Sequence, residues 1–84
     1  MGLKIQAEPN PATTWVSFDY ELPIGNDKAQ LLIRNTEGKQ IALFQISDKL
    51  GQKVWDTRSL KAGTYIYEFV SGNLKQSGKI IIIK

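Results

Sequence analysis

"TWVSFDYEL" occupies residues 14–22. Val16, Phe18, Tyr20 and Leu22 fall on alternate positions, with Ser17, Asp19 and Glu21 between them. A period of two marks a strand with one buried face, because successive side chains of a strand point to opposite sides. Trp15 is out of phase with the apolar set, so it is expected on the open side.

The same pattern repeats outward from this stretch. "PIGND" (23–27) is built largely of turn residues, and "KAQLLIRNT" (28–36) puts Ala29, Leu31 and Ile33 on one face. Gln30 and Arg34 take the other face, with Leu32 the exception. "EGK" (37–39) supplies the glycine of a tight hairpin, and "QIALFQI" (40–46) is the return strand. "SDKLGQ" (47–52) reads as a polar connection and "KVWDT" (53–57) as a short strand. After "RSLKAG", "TYIYEFVS" (64–71) sends Tyr65, Tyr67 and Phe69 one way and Thr64, Ile66, Glu68 and Val70 the other. Gly72-Asn73 forms a hairpin tip, and "LKQSGKIIIIK" (74–84) is the last strand, with a bend expected at Gly78. "LKIQA" (3–7) is a short strand ahead of a stiff "EPNPAT" corner.

About seven short strands with turn signals every 8–12 residues or so predict an all-β fold, an antiparallel two-sheet sandwich. The predicted core is Val16, Phe18, Tyr20, Leu31, Ile33, Tyr65, Tyr67 and Phe69. The chain has 84 residues, enough for one domain, expected over 3–84 behind a start at Met1-Gly2. With no cysteine, the fold closes on packing and hydrogen bonds alone.

Composition excludes much chemistry. Histidine is absent, which removes the commonest general base and metal ligand. Asp19 and Glu21 lie on one face of a strand rather than across a cleft, and Asn26 and Asp27 are adjacent rather than alternating as calcium ligands would be. The serines lack a histidine partner, and no G-x-S-x-G or phosphate-binding glycine loop occurs. No catalysis, cofactor or metal is expected. The net charge is +3, but the lysines are scattered, so they read as solvated surface rather than a nucleic-acid patch. No segment approaches the ~20 apolar residues of a membrane helix. The first two dozen residues do not read as an export signal, so any such signal is expected upstream. Trp15 and Trp55 could stack on sugars, which leaves a carbohydrate-binding or purely structural module as the alternative function.

At Pro9-Asn10-Pro11 the chain comes to resemble a family. Tyr20-Glu21-Leu22-Pro23 matches its "Y-x-L-P" element, and Asn35-Thr36-Glu37-Gly38-Lys39 its glycine turn. Leu60-Lys61-Ala62-Gly63-Thr64-Tyr65-Ile66-Tyr67 matches a leucine before "x-x-G-x-Y-x-Y", and Lys79 to Lys84 a terminal strand ending in lysine. Together, in this order, these are similar to the type A C-terminal sorting domain of type IX secretion in Bacteroidetes. Residues 48–59 depart from its usual composition.

The resemblance implies an immunoglobulin-like sandwich and a non-enzymatic signal. It implies export of an upstream cargo domain from the periplasm across the outer membrane. The implied partners are the type IX translocon, its shuttle proteins, and a surface sortase that removes the domain. Its motif residues here are Pro9, Asn10, Pro11, Gly38, Gly63, Tyr65 and Tyr67.

The run Lys79, Ile80, Ile81, Ile82, Ile83 and Lys84 poses a separate problem. In a sandwich one alternate pair, Ile80 and Ile82 or Ile81 and Ile83, faces inward. The other pair is an apolar hazard that proteins usually avoid, unless a partner docks there or adds a strand to the edge. These six residues are therefore expected to be read by the translocon and to offer a homodimer contact in the isolated domain.

Overall fold

The computed structural model describes residues 2–84. Seven strands follow in order: β1 (Lys4–Glu8), β2 (Trp15–Glu21), β3 (Ala29–Asn35), β4 (Gln40–Ile46), β5 (Leu50–Asp56), β6 (Gly63–Ser71) and β7 (Leu74–Ile82). They form two antiparallel sheets, a three-stranded one in the order β1-β2-β5 and a four-stranded one in the order β4-β3-β6-β7. No helix occurs among the described residues. This connectivity is that of an immunoglobulin-like sandwich.

Phase decides which side chains are enclosed. Val16, Phe18, Leu31, Ile33, Phe69, Ile80 and Ile82 are fully buried, with Tyr20, Trp55 and Tyr65 close behind. Three aromatic pairs bridge the sheets. Phe18 meets Tyr67 edge-on at 5.5 Å, Tyr20 meets Phe69 at 5.6 Å, and Trp55 meets Tyr65 edge-on at 6.2 Å. Each such pair is worth about 0.5–1.5 kcal/mol beyond its buried area. All three draw their second member from β6, so β6 is the spine of the core.

The structure departs from the sequence reading at three places. Residues 50–52 belong to β5 rather than to a loop, because Leu50 pairs with Glu21, Gly51 with Tyr20 and Gln52 with Asp19. β5 hides its phase: Leu50 and Val54 face out, while Gly51 and Lys53 lie on the inner side. Lys53 sets its ammonium over the Phe44 ring at 5.0 Å, so its charge stays at the sandwich rim. β7 runs through Gly78 without a bulge, in continuous register with β6. Tyr67 is half-buried and packs against the core rather than inside it.

Candidate functional site

The terminal isoleucines divide by parity. Ile80 and Ile82 are enclosed, Ile81 is half-buried, and Ile83 is 47% exposed. Register fixes this division, since Ile80 pairs with Tyr65 and Ile82 with Gly63 on β6. Lys79 faces out beside Ile66.

The other side of β7 is a sheet edge, and the Pro9-Asn10-Pro11 segment covers it. After β1 the chain leaves the three-stranded sheet through two cis X-Pro bonds, Glu8-Pro9 and Asn10-Pro11. It reaches the four-stranded sheet at Ala12, which bridges in parallel to Ile82. Pro9 and Pro11 have no N–H to offer the edge. The Asn10 carboxamide supplies what they lack, one donor and one acceptor in the geometry of a peptide group. Its Nδ2 donates to the Lys79 carbonyl at 2.9 Å, and its Oδ1 accepts from the Ile81 N–H at 3.0 Å. Ala12 continues the ladder, donating to the Ile81 carbonyl and accepting from the Ile83 N–H, both at 2.8 Å. Strand addition over Lys79–Ile83 would thus have to displace the chain's own residues 10–12.

The motif on β6 supports β7 from the opposite side. The Tyr65 hydroxyl donates to the Lys61 carbonyl at 2.7 Å. A tyrosine near the start of this strand, bonded to backbone a few residues upstream, is the tyrosine corner of such sandwiches. Gly63 makes the corner possible at φ 152°, a region that side chains avoid. The ring of Tyr67 lies across Gly78, its cross-strand partner, so closely that a Cβ there would collide with it. Tyr20 covers Gly51 in the same way in the other sheet, where a Cβ would come within 2.7 Å of the hydroxyl. Lys84 is tied down as well, its ammonium donating to the Thr57 carbonyl at 2.9 Å and the Arg58 carbonyl at 3.2 Å.

The sequence motif is thereby brought together in space. Pro9, Asn10 and Pro11 lie on one flank of β7, and Gly63, Tyr65 and Tyr67 on the other. Gly38 stands apart: it takes φ 87° in the β3–β4 hairpin, where Asn35 Oδ1 accepts from the Glu37 and Lys39 N–H groups at 3.0 and 2.9 Å. Two features went unread in the sequence. L-x-x-G-x-Y at residues 60–65 signals the tyrosine corner. The bonds of Asn10 to the edge of β7 have no local signal, because its partners are about seventy residues away.

Charge on this side of the molecule is local. Glu68, on the outer face of β6, bonds Lys75 at 3.0 Å and also Arg34, and these hydrogen bonds hold its carboxyl below the usual range. Arg58 clasps Asp56, its Nη2 donating to Oδ2 at 2.7 Å and its Nε and backbone N–H to Oδ1 at 3.0 Å each, and these bonds lower that carboxyl to about 2. Burial raises the Tyr67 hydroxyl, and burial followed by the Asp48 charge raises that of Tyr20. Among the described residues, no group of three carboxylates, histidines or cysteines is placed to share a metal ion. Trp15 and Trp55 do not form a joint platform: Trp15 is 47% exposed on the outer face, whereas Trp55 is in the core.

A family model described as the secretion system C-terminal sorting domain matches residues 8–84. No curated protein gives a significant match.

Proposed function

The chain belongs to the secretion system C-terminal sorting domains, and from that premise we propose that its outward last-strand residues and the Pro9–Pro11 crossover form one composite address. A sorting domain of type IX secretion directs its cargo toward the outer membrane or the extracellular space. The reading that fits this chain is a non-catalytic signal recognised as a folded surface by the translocon and its shuttle proteins. After transit, a surface sortase cuts upstream of β1 and releases the cargo from the domain.

One observation carries the proposal. Asn10 binds both the Lys79 carbonyl and the Ile81 N–H. The Pro9-Asn10-Pro11 motif at the front of the chain is therefore hydrogen-bonded to the strand at its end. Within that strand the isoleucines divide the work. Ile80 and Ile82 hold it in the core, while Lys79, Ile81 and Ile83 lie on the outward side, where the proposal has the translocon read them. A homodimer made by strand addition would turn to β4 or β5, edge strands of the two sheets.

The test is a reporter enzyme fused ahead of this chain in a host with type IX secretion. The reporter should reach the surface or medium, with a mass showing loss of residues 3–84. Retention in the periplasm, equal to that of the unfused reporter, refutes the proposal. Secretion of a product that keeps the domain refutes the removal step alone.

A further inference from the structure

The outer face of the β1-β2-β5 sheet carries a feature that the composite address does not use. Between Glu8, Trp15, Ser17, Asp19 and Gln52 lies an open groove of about 640 Å³. Its lining carries Glu8, Asp19 and Asp56 against Arg58 as its only cation, so it is acidic on a chain whose net charge is +3. The Asp56 carboxylate is already occupied by the Arg58 guanidinium. Glu8 and Asp19 are the acids left to act.

Each of these acids is half-engaged. Glu8 Oε1 accepts from Gln6 Nε2 at 2.7 Å, and Asp19 Oδ1 accepts from Gln52 Nε2 at 2.9 Å. These bonds leave the second oxygen of each carboxylate, and the Gln52 carbonyl oxygen, as acceptors without a donor among the described residues. Ser17 stands between the two acids. Its cross-strand partners are Glu8 on β1 and Val54 on β5, and Asp19 follows it on the same face of β2. Ser17 is 95% buried by its 5% exposure, and its Oγ has no hydrogen-bond partner. This hydroxyl lies unpartnered in the groove lining, a buried polar group whose hydrogen bond is still unmade. The indole of Trp15 supplies an open aromatic face one diagonal step, roughly 7–8 Å, from Glu8.

This set of groups selects among ligands. Free acceptors call for a donor, and uncompensated carboxylates call for a cation. An indole beside them favours a flat, weakly hydrated cation over a compact ammonium. A guanidinium has five donors and no acceptor, stacks on aromatic rings, and pairs with carboxylates in bidentate fashion. We infer that this groove is a docking site for an arginine-bearing segment of a partner protein, its guanidinium stacked on Trp15 and bonded to Glu8 and Asp19. The site is separate from the β7 surface and does not depend on the sorting proposal.

The test uses the intact chain and a blocked Gly-Arg-Gly-Arg-Gly peptide, followed through the indole N–H resonances of the two tryptophans. The Trp15 resonance should shift to saturation while that of buried Trp55 stays in place. The same peptide with citrulline in place of arginine, which keeps the shape and removes the charge, should produce no shift. Affinity should fall as salt rises, and by about tenfold in Glu8→Gln/Asp19→Asn, as expected for two partly solvated ion pairs. Absence of any Trp15 shift, an equal response to the citrulline peptide, or an affinity that does not change with salt overturns the inference. So does a Trp15 shift with cellohexaose but not with the arginine peptide, which makes the groove a sugar site. The salt series needs no substitution, so it decides even if the double variant is poorly folded.

Discussion

The Asn10 side chain and the Ile81 backbone meet across 71 positions of sequence, Oδ1 accepting from the amide N–H at 3.0 Å. Its Nδ2 closes the neighbouring Lys79 carbonyl. Asn10→Ala returns both backbone groups to water and removes two bonds of about 0.5–1.5 kcal/mol each. The variant should lose about 1–2 kcal/mol in denaturant unfolding, and the Ile81 amide should lose hydrogen-exchange protection. Unchanged protection at Ile81 means that the edge is held by Ala12 alone.

Tyr65→Phe tests the corner. It removes the bond to the Lys61 carbonyl while keeping the ring against Trp55. The expected loss is about 1 kcal/mol, with unfolding still cooperative. A neutral result would reduce the tyrosine to an apolar packing residue.

Gly78 and Tyr67 form a coupled pair. Gly78→Ala places a methyl where the Tyr67 ring lies and should cost about 1–3 kcal/mol as overpacking. In a double variant with Tyr67→Ala the added methyl should cost less, because the obstacle is gone. Strictly additive losses in a double-mutant cycle contradict this arrangement.

Those pairs also show what can be read from the sequence. Strand phase in β2, β3 and β6 followed from alternation, because each repeats large apolar residues at every second position, even where Leu32 on β3 and Ile66 and Val70 on β6 interrupt the polar outer face. β5 gave no such signal: its outward residues include Leu50 and Val54, and its inward ones Gly51 and Lys53. Gly51 is there because Tyr20 covers it, a tertiary reason invisible to local pattern. Gly78 looked like a bend for the same cause. Parity split the isoleucines into two sets, but which set faces inward depends on register with Tyr65 and Gly63. The family motif was legible as a string. That its parts converge on β7 was not, because convergence is a property of the crossover at Asn10.

Stability should fall at both ends of the pH scale. The Tyr67 hydroxyl is raised from 10.0 by burial, so its contribution is complete below pH 10.0 and is lost as pH rises through the folded value. Tyr67→Phe should match the parent near neutrality and resist alkaline melting better. Asp56 is lowered from 3.8 to about 2 by its bonds from Arg58, so its contribution is present above pH 3.8 and fades as pH falls toward 2. The Tm difference between parent and Asp56→Asn should shrink over that window. A constant difference from pH 7 to pH 2 contradicts the assignment.

The most direct measurement of the composite address separates recognition from folding. Ile81→Thr/Ile83→Thr keeps β propensity and leaves Ile80 and Ile82 in the core. The variant is placed behind a reporter cargo, its folding checked by thermal melting, and the cargo in periplasm and medium measured. The account predicts a folded domain whose cargo accumulates in the periplasm. A folded domain whose cargo is secreted at the parent level would contradict it, and would leave the terminal isoleucines with a role in packing alone.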